Sequence, residues 1–262
     1  MHLAGYGFDY GKMSSVVSLK NVGVSYDGRE VLSGVNLDVD SRDFIGVIGP
    51  NGGGKTTLVK AIMGQVAFSG EIVYDKSLNT GKGVRNIGYL PQLNGFDRLF
   101  PISVMDVVLS GLQVGKGFFG RYSRADRELA HVWMSRTGIE KVADKPIGEI
   151  SGGQMQRALL CRAVISEPKM LILDEPTNFV DSDFERELYR ILQQLSENMA
   201  IVMVSHDIGT ITSIVKSIVC VNRTAHRHES NIITAEQLEN YHCPIQIISH
   251  GTVPHTVLEK HD

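Results

Sequence analysis

The stretch GPNGGGKTT, residues 49–57, spaces two glycines, a lysine and a threonine as phosphate binding needs them. Glycines let backbone N–H groups wrap phosphate oxygens, because no side chain stands between chain and anion. Lys55 is expected to reach the β- and γ-phosphates of a nucleotide, and the Thr56 hydroxyl to ligate Mg²⁺. Gly49, Asn51, Gly52, Gly54 and Thr57 complete the expected cradle. The alternative, a chance glycine-rich turn, fits poorly with a loop that follows an apolar strand, DFIGVIG (43–49), and opens a helix.

A second group lies in MLILDEPT, residues 170–177. Two carboxylates end an all-apolar strand, and in a parallel sheet that end lies beside the phosphate loop. Asp174 is expected to hold Mg²⁺, directly or through water, and Glu175 to orient or deprotonate an attacking water. His206 follows the strand AIVMVS (200–205), placed to contact a γ-phosphate. Gln92 ends YLPQ (89–92), a neutral side chain suited to Mg²⁺ or water; taken alone it reads as a loop glutamine. The octapeptide ISGGQMQR (150–157) is a second anion-binding helix start, built from Ser151, Gly152, Gly153 and Gln154. It has no lysine and no acidic strand of its own.

Taken together and in this order, these stretches resemble the ATP-binding subunit of an ABC transporter, over about residues 16–221. The resemblance makes 49–57 the Walker A loop, Gln92 the Q-loop glutamine, SGGQ (151–154) the signature, Asp174 and Glu175 Walker B, and His206 the switch histidine. It makes Tyr26 the aromatic residue that stacks on adenine, and Asp181 the D-loop aspartate. Ile150 stands where the family usually has leucine, and Phe179 where small residues are commoner. The resemblance implies an α/β fold of the P-loop NTPase (RecA-like) class: a mainly parallel sheet core, an antiparallel β subdomain and an inserted helical subdomain. It implies ATP and Mg²⁺ as cofactors and a homodimer of cassettes sharing two ATPs. Ser151, Gly153 and Gln154 would then face the γ-phosphate held by another copy's Lys55. Two membrane-spanning permease subunits and, indirectly, an external substrate-binding protein are the further implied partners. The implied location is peripheral, on the cytoplasmic face of the plasma membrane.

The elements that must position these residues follow from periodicity and turn chemistry. Stretches 16–26 and 31–39 alternate as strands around the turn signal Asp27-Gly28. Further strands are expected at 71–74, 86–91 and 217–221, and a charged amphipathic helix over 181–198. Between them, 103–112 has helical spacing, and 123–138 begins with serine and ends with glycine as a capped helix does. The expected division is an N-terminal extension (1–12), a nucleotide-binding core (13–92 and 150–221), an inserted helical subdomain (93–149) and a histidine-bearing tail (222–262). Met13 is read as the true start.

Of the 262 residues, 42% are apolar, enough for a full core, and no apolar run reaches the ~18–20 residues of a membrane span. A formal charge of −3 argues against a nucleic-acid partner, which calls for a basic face. Three scattered cysteines give no disulfide framework.

Two stretches bear on the cargo. Residues 91–111, PQLNGFDRLFPISVMDVVLSG, resemble the segment after the Q-loop in zinc, manganese and iron importers. Importers of haem and siderophores typically continue with Gly-Arg-x-Pro-His, where this chain reads GLQVG (111–115). The tail carries six of the nine histidines (226, 228, 242, 250, 255 and 261), but their spacing matches no compact zinc site. The expected function is therefore ATP-driven uptake of a divalent metal, zinc or manganese first. The alternatives are an iron–chelate importer and a soluble regulatory ABC ATPase without a permease.

Overall fold

The computed structural model describes residues 15–78, 86–93, 101–113, 121–177, 181–231, 246–249 and 254–257. Strands β1 (Ser15–Tyr26) and β2 (Arg29–Asp40) form a hairpin. Asp27 and Gly28 close it at φ 48° and 77°, the paired positive values of a tight hairpin turn. Later in the chain β4 (Ser69–Tyr74) pairs with the far edge of β1, giving an antiparallel sheet ordered β2-β1-β4.

A second sheet of six strands forms the core. In chain order its members are β3 (Phe44–Ile48), β5 (Ile87–Leu90), β6 (Met170–Asp174), β7 (Ala200–Val204), β8 (Ser217–Asn222) and β9 (Thr224–His228). Across the sheet the order is β5-β6-β7-β3-β8-β9, all pairs parallel except the last. Strands β3, β6 and β7 are buried at every residue, because both sheet faces are covered. Side-chain alternation divides them between two cores. Met170, Ile172, Val202 and Val204 join the antiparallel sheet and α1 (Lys55–Met63) through Val17, Leu19, Leu58 and Ile62. Leu171, Leu173, Ile201 and Met203 join the helices on the other face.

Those helices are α2 (Val104–Ser110), α3 (Arg124–Arg136), α4 (Gly152–Val164) and α5 (Ser182–Leu195). The expected caps form. Ser123 and Asp126 make a reciprocal capping box at the start of α3, and Gly138 ends its last turn at φ 71°. Helices α2 and α3 pack on α4, with Trp133 and Met134 in the shared core. Among the described residues, no helix is long and apolar enough to cross a membrane.

The sheet does not stop at residue 221, where the expected core ended. Arg223, at φ 60°, turns the chain back and β9 pairs antiparallel with β8. Two nitrogens of Arg227 then meet the buried Asp43 carboxylate at 2.9 and 3.1 Å, and one also donates to the Asp38 carbonyl at 2.7 Å. A strand of polar alternation, TAHRH, reads as tail in sequence; an ion pair to a residue distant in the same chain decides its place. Arg227→Met should leave Asp43 buried without its cation and cost about 3 kcal/mol. Urea unfolding with an unchanged slope and a lower midpoint would register that loss; an unmoved midpoint would refute it.

Two further elements have no signal among the expected strands and helices. Helix α6 (Ile208–Ile214) follows β7, and a hairpin of β10 (Gln246–Ser249) and β11 (Pro254–Val257) lies with β11 against it. The expected extension 1–12, Phe179, residues 94–100 of the segment after Gln92 and histidines 242, 250 and 261 lie outside the described residues.

Candidate functional site

The loop after β3 is shaped by its glycines. Gly49 adopts φ 149°, and a Cβ there would stand 2.0 Å from the Val221 carbonyl oxygen. Gly54 precedes α1 at φ 103°, and no side chain caps the helix. The N–H groups of its first turn therefore open into the loop with the positive end of the helix dipole. Lys55 is 7% exposed, and its ammonium donates to the carbonyls of Gly49 at 2.8 Å and Pro50 at 3.0 Å. The amine is thus held across the mouth of the cradle. Asn51 and Gly52 are exposed at the loop's tip, and Thr57 is half-buried behind it. An N–H from Arg223 to the Gly53 carbonyl, 2.9 Å, ties the loop to the β8–β9 turn.

The carboxylates arrive from β6. Asp174 is 3% exposed and accepts a hydrogen bond from the Thr56 hydroxyl at 3.3 Å. Burial pushes its pKa above the usual carboxylate range, against the opposing effect of the Thr56 bond. A buried acid beside a hydroxyl, facing a lysine, suits a divalent cation, whose charge would hold the carboxylate ionised. Glu175 leaves the strand at φ 52°, its N–H bonded to the Val204 carbonyl at 3.0 Å. This turns its side chain between two others. The Gln92 amide donates to one carboxylate oxygen, and His206 Nδ1 stands 3.5 Å from the second. A small turn, Asp207 N–H to the Ser205 hydroxyl at 3.0 Å, presents the half-exposed imidazole.

Lys55, Thr56, Gln92, Asp174, Glu175 and His206 are therefore linked through one site. Tyr26 and the signature residues stand apart: among the described residues, no hydrogen bond or ion pair joins them to it. Tyr26 ends β1 at the hairpin tip, 43% exposed, an open aromatic face. At the start of α4 the Ser151 hydroxyl accepts from Gln154 N–H at 3.2 Å, and the Gln154 side chain accepts from Ser151 N–H at 3.1 Å. From sequence alone this helix start reads as a row of open N–H groups. Two of them are engaged by the chain's own capping box, and the cap leaves those of Gly152 and Gly153. Asp181 caps α5, accepting from Phe184 N–H at 2.8 Å. That bond, and then Arg157, hold its pKa below the ordinary value.

Two residues given no role from sequence also contribute. Gln156, 3% exposed, donates to the Pro176 carbonyl, and Arg157 reaches Asp181 at 3.3 Å. The available signal was a polar pair set in an apolar helical run, MQRALL, which calls for buried partners. The described residues hold no group of three or more His, Cys, Asp or Glu placed to share a metal ion; His226 and His228 lie on β9 and His255 on β11.

Residues 32–178 match the ABC transporter family. The chain is 36% identical over 241 residues to a protein of Thermotoga maritima named a probable metal transport system ATP-binding protein, covering 90% of this chain and 94% of that one. It is 33% identical to the zinc uptake system ATP-binding protein ZurA of Listeria innocua, covering 86% and 91%. It is 35% identical to the zinc import ATP-binding protein ZnuC of Pseudomonas fluorescens, covering 80% and 75%. Among solved structures, an inward-facing transporter of metal-chelate type aligns with a TM-score of 0.76 at 28% identity, over 94% of this chain and 96% of that one. The match over more than half of the chain, and relatives above 30% identity over most of it, show that the chain belongs to the ABC transporter family.

Proposed function

We propose that this chain is the ATP-binding subunit of an importer, hydrolysing MgATP to drive uptake of a divalent metal ion, zinc or manganese first. The observation that carries the catalytic part is the Thr56–Asp174 bond beside a Glu175 framed by Gln92 and His206. In this reading Lys55 and the N–H groups around Gly49, Asn51, Gly52, Gly54 and Thr57 hold the phosphates, and Tyr26 stacks on adenine. Thr56, Asp174 and Gln92 would hold Mg²⁺, which when bound neutralises charge on the β- and γ-phosphates. Glu175 orients and deprotonates the attacking water. His206 contacts the γ-phosphate and registers its loss. The chemistry is positioning and charge stabilisation, with no covalent intermediate on the protein.

Ser151, Gly152, Gly153 and Gln154 form the second half of a partner cassette's site, with Asp181 at the contact between copies. Closure of two cassettes on two ATPs would move two permease subunits between states, with an external binding protein supplying metal. The metal assignment is supported by the names of three relatives, which are called metal-transport or zinc-uptake ATP-binding proteins. A second reading, uptake of a metal chelate, is favoured by the likeness to the metal-chelate type transporter.

Lys55→Ala tests the proposal. The purified chain should bind a fluorescent ATP analogue at least about tenfold more weakly, since a charge-assisted phosphate contact is removed. Cells relying on this chain should then lose accumulation of labelled zinc or manganese. Undiminished nucleotide affinity would remove Lys55 from the site. Loss of chelate uptake with free-metal uptake intact would favour the second reading.

A further inference from the structure

Two neighbouring residues of α4 grip both ends of the segment that joins β6 to α5. Gln156 donates to the Pro176 carbonyl, one residue past Glu175. Arg157 donates to the Thr137 carbonyl at the end of α3, 3.0 Å, and to the Asp181 carboxylate at the start of α5, 3.3 Å. Its guanidinium lies over the Phe184 ring, 4.0 Å from the ring centre. One side chain thus joins three helices. Only a planar group with several fixed donors satisfies such a place: edges to a carbonyl and a carboxylate, face to an aromatic ring. Arg157 follows Gln154 by less than a turn, so the signature and this grip share one rigid helix start.

We propose that Arg157 is a positioning residue for turnover. It locks the start of α4, the half-site offered to a partner cassette, to Asp181, while Gln156 holds the chain beside Glu175. A shift of Ser151–Gly153 on loss of the partner's phosphate is thereby carried into the segment that presents this chain's own Glu175. The two shared sites are coupled through the protein body. The proposal rests on the shared-site reading above.

The test is kinetic, on the full chain. Arg157→Gln should leave ATP affinity of the monomer within about twofold, while kcat falls about tenfold and the cooperativity of hydrolysis in ATP declines toward none. A merely structural role would instead lower stability and affinity together. Asp181→Asn keeps an N-cap but loses the charge. In a double-mutant cycle its effect on kcat should not multiply with that of Arg157→Gln; simple multiplication overturns the proposal. Arg157→Lys, the milder change, keeps a charge near Asp181 and loses the planar stack. It should reduce kcat at unchanged affinity; wild-type kcat and cooperativity in Arg157→Lys or in Arg157→Gln overturn the proposal. A Glu175→Gln chain that forms no ATP-dependent dimer would overturn the shared-site reading and this proposal with it. If that dimer forms and the Arg157 variants turn over normally, this proposal alone fails.

Discussion

Glu175→Gln is expected to lower ATP turnover by about two to four orders of magnitude, the range for loss of a general base. Nucleotide binding should survive. The carboxylate sits one residue past the end of β6, and in the proposed reading Lys55 still holds the phosphates while Thr56 and Asp174 would still hold Mg²⁺. The substitution is nearly isosteric and keeps a carbonyl oxygen to accept from the Gln92 amide. With ATP bound and not hydrolysed, two copies should stay closed on two nucleotides. Steady-state phosphate release and size-exclusion chromatography in MgATP check the two halves separately. A variant that hydrolyses ATP at the original rate would take Glu175 out of the chemistry. A variant without turnover that stays monomeric in ATP would retain the catalytic role and reject the shared site.

Ser151→Arg is expected to abolish ATP-dependent dimerisation, read in the Glu175→Gln background, while the monomer binds ATP as before. Ser151 is exposed, and none of its hydrogen bonds reaches the Lys55 loop, so its own chain's nucleotide does not depend on it. An arginine there projects bulk into the face where a partner's phosphate would approach Gly152 and Gly153. The control follows from the capping box. Ser151→Ala removes the hydroxyl that accepts from Gln154 N–H and should cost about 1 kcal/mol of stability. It should not block dimerisation. A dimer that persists in Ser151→Arg would place the signature away from any shared nucleotide.

The capping box also sharpens what that helix start must do. Its own side chains satisfy two of the donors that a phosphate would use. At α1 no side chain competes, so the phosphate loop is open by construction. Under the shared-site proposal, a partner's phosphate would meet the Gly152 and Gly153 N–H groups, or would have to displace the Ser151–Gln154 pair.

Much of this protein was legible in its sequence, because much of it is local. Gly49 and Gly54 suit the loop's own backbone angles, φ 149° and 103°, and lysine and threonine follow at fixed offsets; the close approaches of Val221 and Leu32 that also bar a side chain there are tertiary. The hairpin at Asp27-Gly28, the serine caps and the strands buried on both faces all follow from short-range rules of turn, cap and periodicity. Tertiary structure decided what depends on distant pairings. Gln92 reads alone as a loop glutamine; only folding brings it 83 positions along the chain to Glu175. Residues 224–228 read as tail until Arg227 finds Asp43 across 184 positions. Arg157 reads as one more polar residue on a helix until Thr137, Asp181 and Phe184 close around it. Backbone propensity acts over a few residues and is written in the local sequence. The partner that satisfies a buried charge is chosen by packing, and that choice exists only in three dimensions.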